Sequence, residues 1–219
     1  MNLEAYREIL VGLTPEQRRY VLEALPKHQL EKEFGIRAER ILDAIARSSD
    51  LSKRGIRGLI AEEVFLKDVL PAQLAGSRWK AEDVPASNAS YDALVRSDSG
   101  QSVRIQVKNQ RLEKGVVKVS KGNWIVEVQK TRTGEDKDGV ATRPYRFADF
   151  DLIAVCLKPG TEDWMKFAFS LTQDLLPRPK DPNLIKIMQP VPQSVDLAPW
   201  SSSLLAKLDA LAKEANSGK

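Results

Sequence analysis

One cysteine, Cys156, and one histidine, His28, stand in 219 residues. A single cysteine excludes an intrachain disulfide and a cysteine-based zinc site. A single histidine excludes the HExxH zinc motif and the paired-histidine metal cluster of HNH nucleases. His28 lies in the charged stretch EALPKHQLEKEF, where an exposed position is expected. The phosphate-cradling patterns GxxxxGK[ST] and GxGxxG are absent, so nucleotide-driven chemistry has no visible support. No apolar run approaches the ~18 residues of a membrane helix. The opening MNLEAYREIL carries acids where a secretory leader would be basic, and a soluble, cytoplasmic protein is expected. What remains for catalysis is carboxylates, amides, lysine and a hard metal ion.

The composition is otherwise that of a globular chain: 42% hydrophobic, 29% charged, 12 Gly and 12 Pro. The net charge of +4 is unevenly spread. Between Arg104 and Arg146 eleven Lys/Arg face five acids, a net +6, which leaves −2 for the remainder. A positive middle on a nearly neutral body suits a polyanion, although a lysine-rich solvated sheet has the same composition.

The first fifty residues read as helices and as a separate N-terminal extension, residues 1–50, ahead of a core at 51–219. Thr14-Pro15 supplies an N-cap followed by proline at the first helical position. A further helix fits IRAERILDAIARS, and short helices joined at Gly35 suit either a helix-turn-helix reader or a plain bundle. The next helix spans 52–70, with Pro71 expected to end it. At about 100° per residue, Glu62 falls among Phe65, Leu66 and Val69, while Glu63 lies at the margin. A carboxylate in an apolar stripe is costly unless it pairs with an arginine, reaches solvent at a helix-sheet edge, or binds a cation.

A sheet follows. SYDALVR (90–96) and VRIQVK (103–108) form a hairpin through a polar turn containing Gly100. Alternation puts Val103, Ile105 and Val107 on one face and Arg104, Gln106 and Lys108 on the other. A second hairpin turns at Lys121-Gly122, and TRTGEDKDGVATRPYR (131–146) reads as a long loop, either functional or a mobile surface loop with no partner. FDLIAVCL (150–157) is a buried strand, with WMKFAFSL (164–171) as its neighbour. Residues 176–192 should be irregular apart from a short LIKIM strand, before a C-terminal helix with Leu204, Leu205, Leu208 and Leu211 on one stripe. The order defines an α/β (α+β) protein with a central mixed β-sheet flanked by helices.

Asp92 in the first strand can converge with Gln106 and Lys108, which lie roughly 7 Å apart along the second, and with Glu62 on the packed helix. This D–(x13)–QxK arrangement resembles the PD-(D/E)XK nuclease superfamily over about residues 58–108, with Gln106 where that family usually has an acid. In carrying QxK the chain is similar to Mrr-like nucleases that cut modified DNA. The resemblance implies a restriction-endonuclease-like core and a Mg²⁺-dependent DNA endonuclease, most simply a type II restriction enzyme. Asp92, Gln106, the Val107 carbonyl and Glu62 would ligate Mg²⁺, for which Mn²⁺ may substitute, and Lys108 would activate water. Oxygen ligands suit that ion. The partner implied is double-stranded DNA, contacted by Lys130, Arg132, Lys137, Arg143, Tyr145 and Arg146, and the assembly implied is a homodimer. A modification-dependent or repair nuclease is the alternative enzyme. A non-catalytic DNA-binding protein on a decayed nuclease fold is the alternative that the neutral Gln106 favours.

Overall fold

The computed structural model describes residues 11–24, 28–84, 89–113, 115–130, 144–194 and 196–217. They divide into two units, the first running to Lys53 and the second from Arg54 onward.

The described part of the first unit holds three short helices, α1 (Pro15–Ala24), α2 (Gln29–Phe34) and α3 (Ala38–Arg47), and the first turn of a longer one. Each start is capped where the sequence provides an acceptor. Thr14 Oγ1 accepts from the Gln17 amide at 3.2 Å, and Gln17 Oε1 accepts from the Thr14 amide at 2.9 Å. His28 does the same for α2, its Nδ1 accepting from the Leu30 amide at 3.2 Å while Glu31 bonds the His28 amide. This is the capping-box arrangement, and it accounts for the exposed His28 without any catalytic role. Gly35 follows α2 at φ 64°, the left-handed C-terminal position that glycine takes without strain.

In the second unit a five-stranded mixed sheet runs in the order β1 (Trp79–Glu82), β2 (Ala93–Ser97), β3 (Ser102–Asn109), β8 (Leu152–Cys156) and β9 (Phe167–Leu171). All neighbours are antiparallel except β3 and β8, which run parallel with Gln106 beside Ile153 and Lys108 beside Val155. Because side chains alternate, this sheet feeds two cores. On one face Val95, Val103, Ile105, Val107, Leu152 and Ala154 pack against helical residues Phe65, Val69, Leu204 and Leu208. On the other face Ile153 and Val155 join Val126, Tyr145, Phe150, Ile185 and Val191. Every residue of β8 is buried, as a continuous apolar strand requires.

The helix on the first face departs from the expected end at Pro71. It begins as α4 (Asp50–Val64), widens into a π turn at Phe65–Val69, and continues as α5 (Leu70–Leu74) with Pro71 inside it. The Leu70 amide reaches back to the Phe65 carbonyl, five residues away. An interior proline clashes with the carbonyl four residues back and has no N–H to give. The wide turn moves the preceding carbonyls out of line and restarts the ladder, so Pro71 falls in a first turn, where proline is tolerated.

The second face is covered by a smaller three-stranded sheet in the order β12 (Met188–Pro192), β7 (Asn123–Glu127), β6 (Val119–Ser120). Lys121 and Gly122, at φ 49° and 76°, form the tight turn between β6 and β7 that two positive φ values demand. The chain at 176–192 is more ordered than the prolines suggested. Pro177–Arg178 (β10) and Asp181–Ile185 (β11) pair as a ribbon, and MQPVP is the strand β12. Gln189 and Val191 point inward while Met188, Pro190 and Pro192 alternate outward. As an edge strand β12 can carry proline, since one side of it needs no ladder hydrogen bonds. The remaining pieces are the two-residue strands β4 (Leu112–Glu113) and β5 (Val116–Val117), a short helix α6 (Lys158–Thr161), and α7 (Leu204–Ser217). No helix among the described residues is long and apolar enough to cross a membrane.

Candidate active site

Glu62, Asp92, Gln106 and Lys108 come together from α4, the residue before β2, and one face of β3. The β2–β3 pairing sets Ala93 opposite Ile105. The Asp92 amide continues that ladder, donating to the Ile105 carbonyl at 2.9 Å. Its side chain therefore emerges on the face that carries Gln106 and Lys108. Asp92 Oδ2 accepts from the Val107 amide at 2.7 Å and from Gln106 Nε2. Oδ1 accepts no hydrogen bond among the described residues. Gln106 Nε2 also donates to the Val107 carbonyl at 3.1 Å. The amide thus turns its NH₂ end, not its carbonyl, toward both oxygens expected to hold a cation.

Tyr145 occupies the other end of that amide. Its hydroxyl donates to Gln106 Oε1 at 3.0 Å and accepts from Lys108 Nζ at 3.4 Å. The Lys108 ammonium also lies 5.2 Å from the centre of the tyrosine ring. With 4% of its surface exposed, Tyr145 belongs to the core and to this site, not to an outward DNA-contacting loop. No signal in the sequence links it to Gln106. The two are far apart along the chain, and only the packing of Tyr145 on Phe150 and Ile185 joins them.

Burial dominates the electrostatics. It raises the Asp92 carboxyl above its ordinary value, against the opposing pull of Lys108 and the bonds from Val107 and Gln106. Glu62, half-buried, is raised first by burial and then by the charge of Asp92, with Lys108 opposing. Lys108 is lowered by burial, with Asp92 and Glu62 working the other way. The Tyr145 phenol is pushed up by burial and by neighbouring carboxylates. Two carboxylates that destabilise each other beside one lysine form a set that gains from an added positive charge. After burial, the charges that act on Glu62 are those of Asp92, Lys108 and the adjacent Glu63.

The donors suit a hard divalent cation: Asp92 and Glu62 carboxylates, the Val107 carbonyl, and the Gln106 carbonyl once its amide turns. Among the described residues no three or more of His, Cys, Asp and Glu gather as a metal cluster, so a cation here rests on two carboxylates and neutral oxygens.

Of the residues expected to contact DNA, Lys130 pairs with Asp149 at 3.6 Å and lies 5.4 Å from the Tyr145 ring centre. Arg146 is exposed, its amide bonded to Asp149 Oδ2 at 3.1 Å. Arg132, Lys137 and Arg143 lie outside the described residues. A network the sequence did not announce stands beyond Lys108, where Glu127 on β7 receives Arg111 and Gln129 and lies 4.0 Å from Arg54.

No family model matches the chain, and no curated protein matches it. Among solved structures it is similar to a bacterial homing endonuclease, I-Ssp6803I, at 19% identity and a TM-score of 0.43, over 75% of this chain and 97% of that one.

Proposed function

We propose that the chain is a divalent-cation-dependent endonuclease that hydrolyses phosphodiester bonds in double-stranded DNA, on the PD-(D/E)XK pattern and of restriction type. The observation that supports this best is the convergence of Glu62, Asp92, Gln106 and Lys108, from a helix and two adjacent strands, on one half-buried site. Asp92, Glu62 and the carbonyls of Gln106 and Val107 would hold Mg²⁺, or Mn²⁺ in its place. When bound, that ion neutralises charge on the phosphate oxygens and acidifies water.

The chain's own residues do the rest. Asp92, fixed by the Val107 amide, orients the donors around it. Lys108, held by Tyr145, sits where it can hold the attacking water, and in its neutral form, which burial favours, it would take up the water's proton. The water oxygen bonds to phosphorus as the bond to one bridging oxygen breaks; the leaving oxygen keeps that electron pair and takes a proton from solvent, and the lysine would offset the charge that develops. Lys130 and Arg146 supply phosphate contacts beside the site. Two copies acting as a homodimer would cut both strands of a symmetric sequence.

The test is purified protein with plasmid DNA and Mg²⁺, on unmodified and methylated substrates, with Lys108→Ala as the control. Nicked or linear products from wild type alone support the proposal. Cleavage confined to methylated DNA would make it a modification-dependent enzyme. Tight, salt-sensitive binding with no cleavage of any DNA would make it a non-catalytic binder, the reading favoured by the neutral Gln106.

A further inference from the structure

Gln106 faces two ways in one site. Its NH₂ end engages the oxygens a cation needs, Asp92 Oδ2 and the Val107 carbonyl, and its carbonyl end rests on the Tyr145 hydroxyl. An N–H aimed at those oxygens both occupies them and presents positive charge where a cation would sit. A side-chain amide is planar, and its two ends differ little in size. A half-turn about its last bond exchanges them without moving the backbone. Such a turn requires a far partner able to receive N–H as readily as it donated to C=O.

A hydroxyl is that partner, since it has one donor and two acceptor positions. Tyr145 is also fixed enough to serve from one place. Its carbonyl accepts from the Ile185 amide at 2.9 Å, and its ring meets Phe150 edge-on at 5.3 Å between centres. Lys108 Nζ donates to the hydroxyl in the observed arrangement and can continue to do so after the turn.

Resting on the nuclease proposal, we propose that Tyr145 is a positioning residue that makes Gln106 a two-position gate on the cation site. In one position the amide closes on Asp92; in the other its carbonyl faces the cation and its NH₂ rests on the Tyr145 hydroxyl. The neutral glutamine is then a device that keeps Asp92 satisfied when no cation is bound, which a second carboxylate at 106 would not do. Cation binding has to break the amide's bonds to Asp92 and Val107 before it gains a ligand.

The experiment is NMR of the ¹⁵N-labelled chain with and without saturating Mg²⁺, with the Gln106 NH₂ signal assigned by its loss in Gln106→Glu. Without Mg²⁺ the NH₂ protons should show a proximity signal to the Val107 amide proton. With Mg²⁺ that signal should disappear and one to the Tyr145 ring protons should replace it. Calorimetry reads whether Mg²⁺ is taken up. Tyr145→Phe removes the hydroxyl from both positions, so the Gln106 NH₂ should no longer hold one place and its signals should broaden with and without Mg²⁺, at an unchanged backbone spectrum. Sharp, wild-type NH₂ signals in that variant would remove Tyr145 from the gate. If Mg²⁺ binds while the NH₂ stays on Val107, the gate is wrong and the nuclease proposal stands. If wild type takes up no Mg²⁺, both fall.

Discussion

Arg104 and Asp151 lock the two parallel strands of the sheet where they begin. Asp151 accepts from Arg104 Nη2 at 2.7 Å, from Nε at 3.0 Å and from the Arg104 backbone amide at 2.8 Å. In return the Asp151 amide donates to the Arg104 carbonyl at 2.9 Å. The remaining guanidinium nitrogen reaches the Ala148 carbonyl at 2.9 Å. The fork geometry is one that arginine offers and lysine does not. It holds β8 beside β3 two residues before Gln106.

Replacing that carboxylate should loosen the strand pair. About a third of each side chain is exposed, so solvent screening reduces the value of the charge. Asp151→Asn should lower stability by about 1 kcal/mol, read as a lower urea midpoint at unchanged slope. An unaltered midpoint would mean that the backbone pairing alone sets the register.

Lys108→Ala should reduce DNA cleavage by about 10²- to 10⁴-fold, the usual contribution of a positioned proton-transfer group. DNA affinity in the presence of Ca²⁺ should fall far less, because on the proposed function most phosphate contacts would be made by other residues. A variant that cuts at wild-type rate removes Lys108 from the chemistry.

The raised carboxyls of Asp92 and Glu62 make a prediction about pH. A folded state that raises a carboxyl above its unfolded value holds the proton more tightly than the unfolded chain does. Stability in EDTA should therefore fall as pH rises from the ordinary values of 3.8 and 4.5 through the raised ones. Asp92→Asn and Glu62→Gln should each flatten that decline and be at least as stable as wild type at neutral pH. Urea midpoints measured from pH 4 to 8 decide it, and parallel profiles for wild type and variants would refute it.

Cys156 reports on opening of the central sheet. It is buried in β8, and burial pushes its thiol up to about 11 from 9.0. The folded thiol keeps its proton, so stability contributed by this group is lost as pH rises from about 9 toward 11. At pH 8 iodoacetamide should label Cys156 slowly, at a rate that rises with urea as the chain unfolds. Rapid labelling of the native protein would show that β8 opens locally.

The sheet was legible in the sequence because its signals are local. Alternation in VRIQVK, the apolar run LIAVC and the Lys121-Gly122 turn each specify one element within a few residues. Glu62, Asp92, Gln106 and Lys108 were legible for the same reason, since a helix face and a hairpin register place them. Pro71 and the MQPVP strand depart from the sequence expectation because the penalty on proline is not local. A π turn in one case and an edge position in the other remove the penalty, and both depend on distant neighbours. Tyr145 lies outside the strands and helices as expected, and its burial is not legible for a related reason. Its place is set by Phe150 and Ile185, which carry no mark that points to Gln106.

The parallel pairing of β3 with β8 has an architectural consequence. Parallel neighbours cannot be joined by a tight turn, so the chain must leave β3 beyond Asn109 and travel back to Asp151 at the opposite end of the sheet. It departs just past Gln106 and Lys108 and passes Tyr145 on its return. Its described part carries β7 and Tyr145 onto the sheet face that bears Gln106 and Lys108. Because Val126, Val128 and Tyr145 are buried there, the connection is no mere link between strands: it builds the second core and one wall of the candidate site at once.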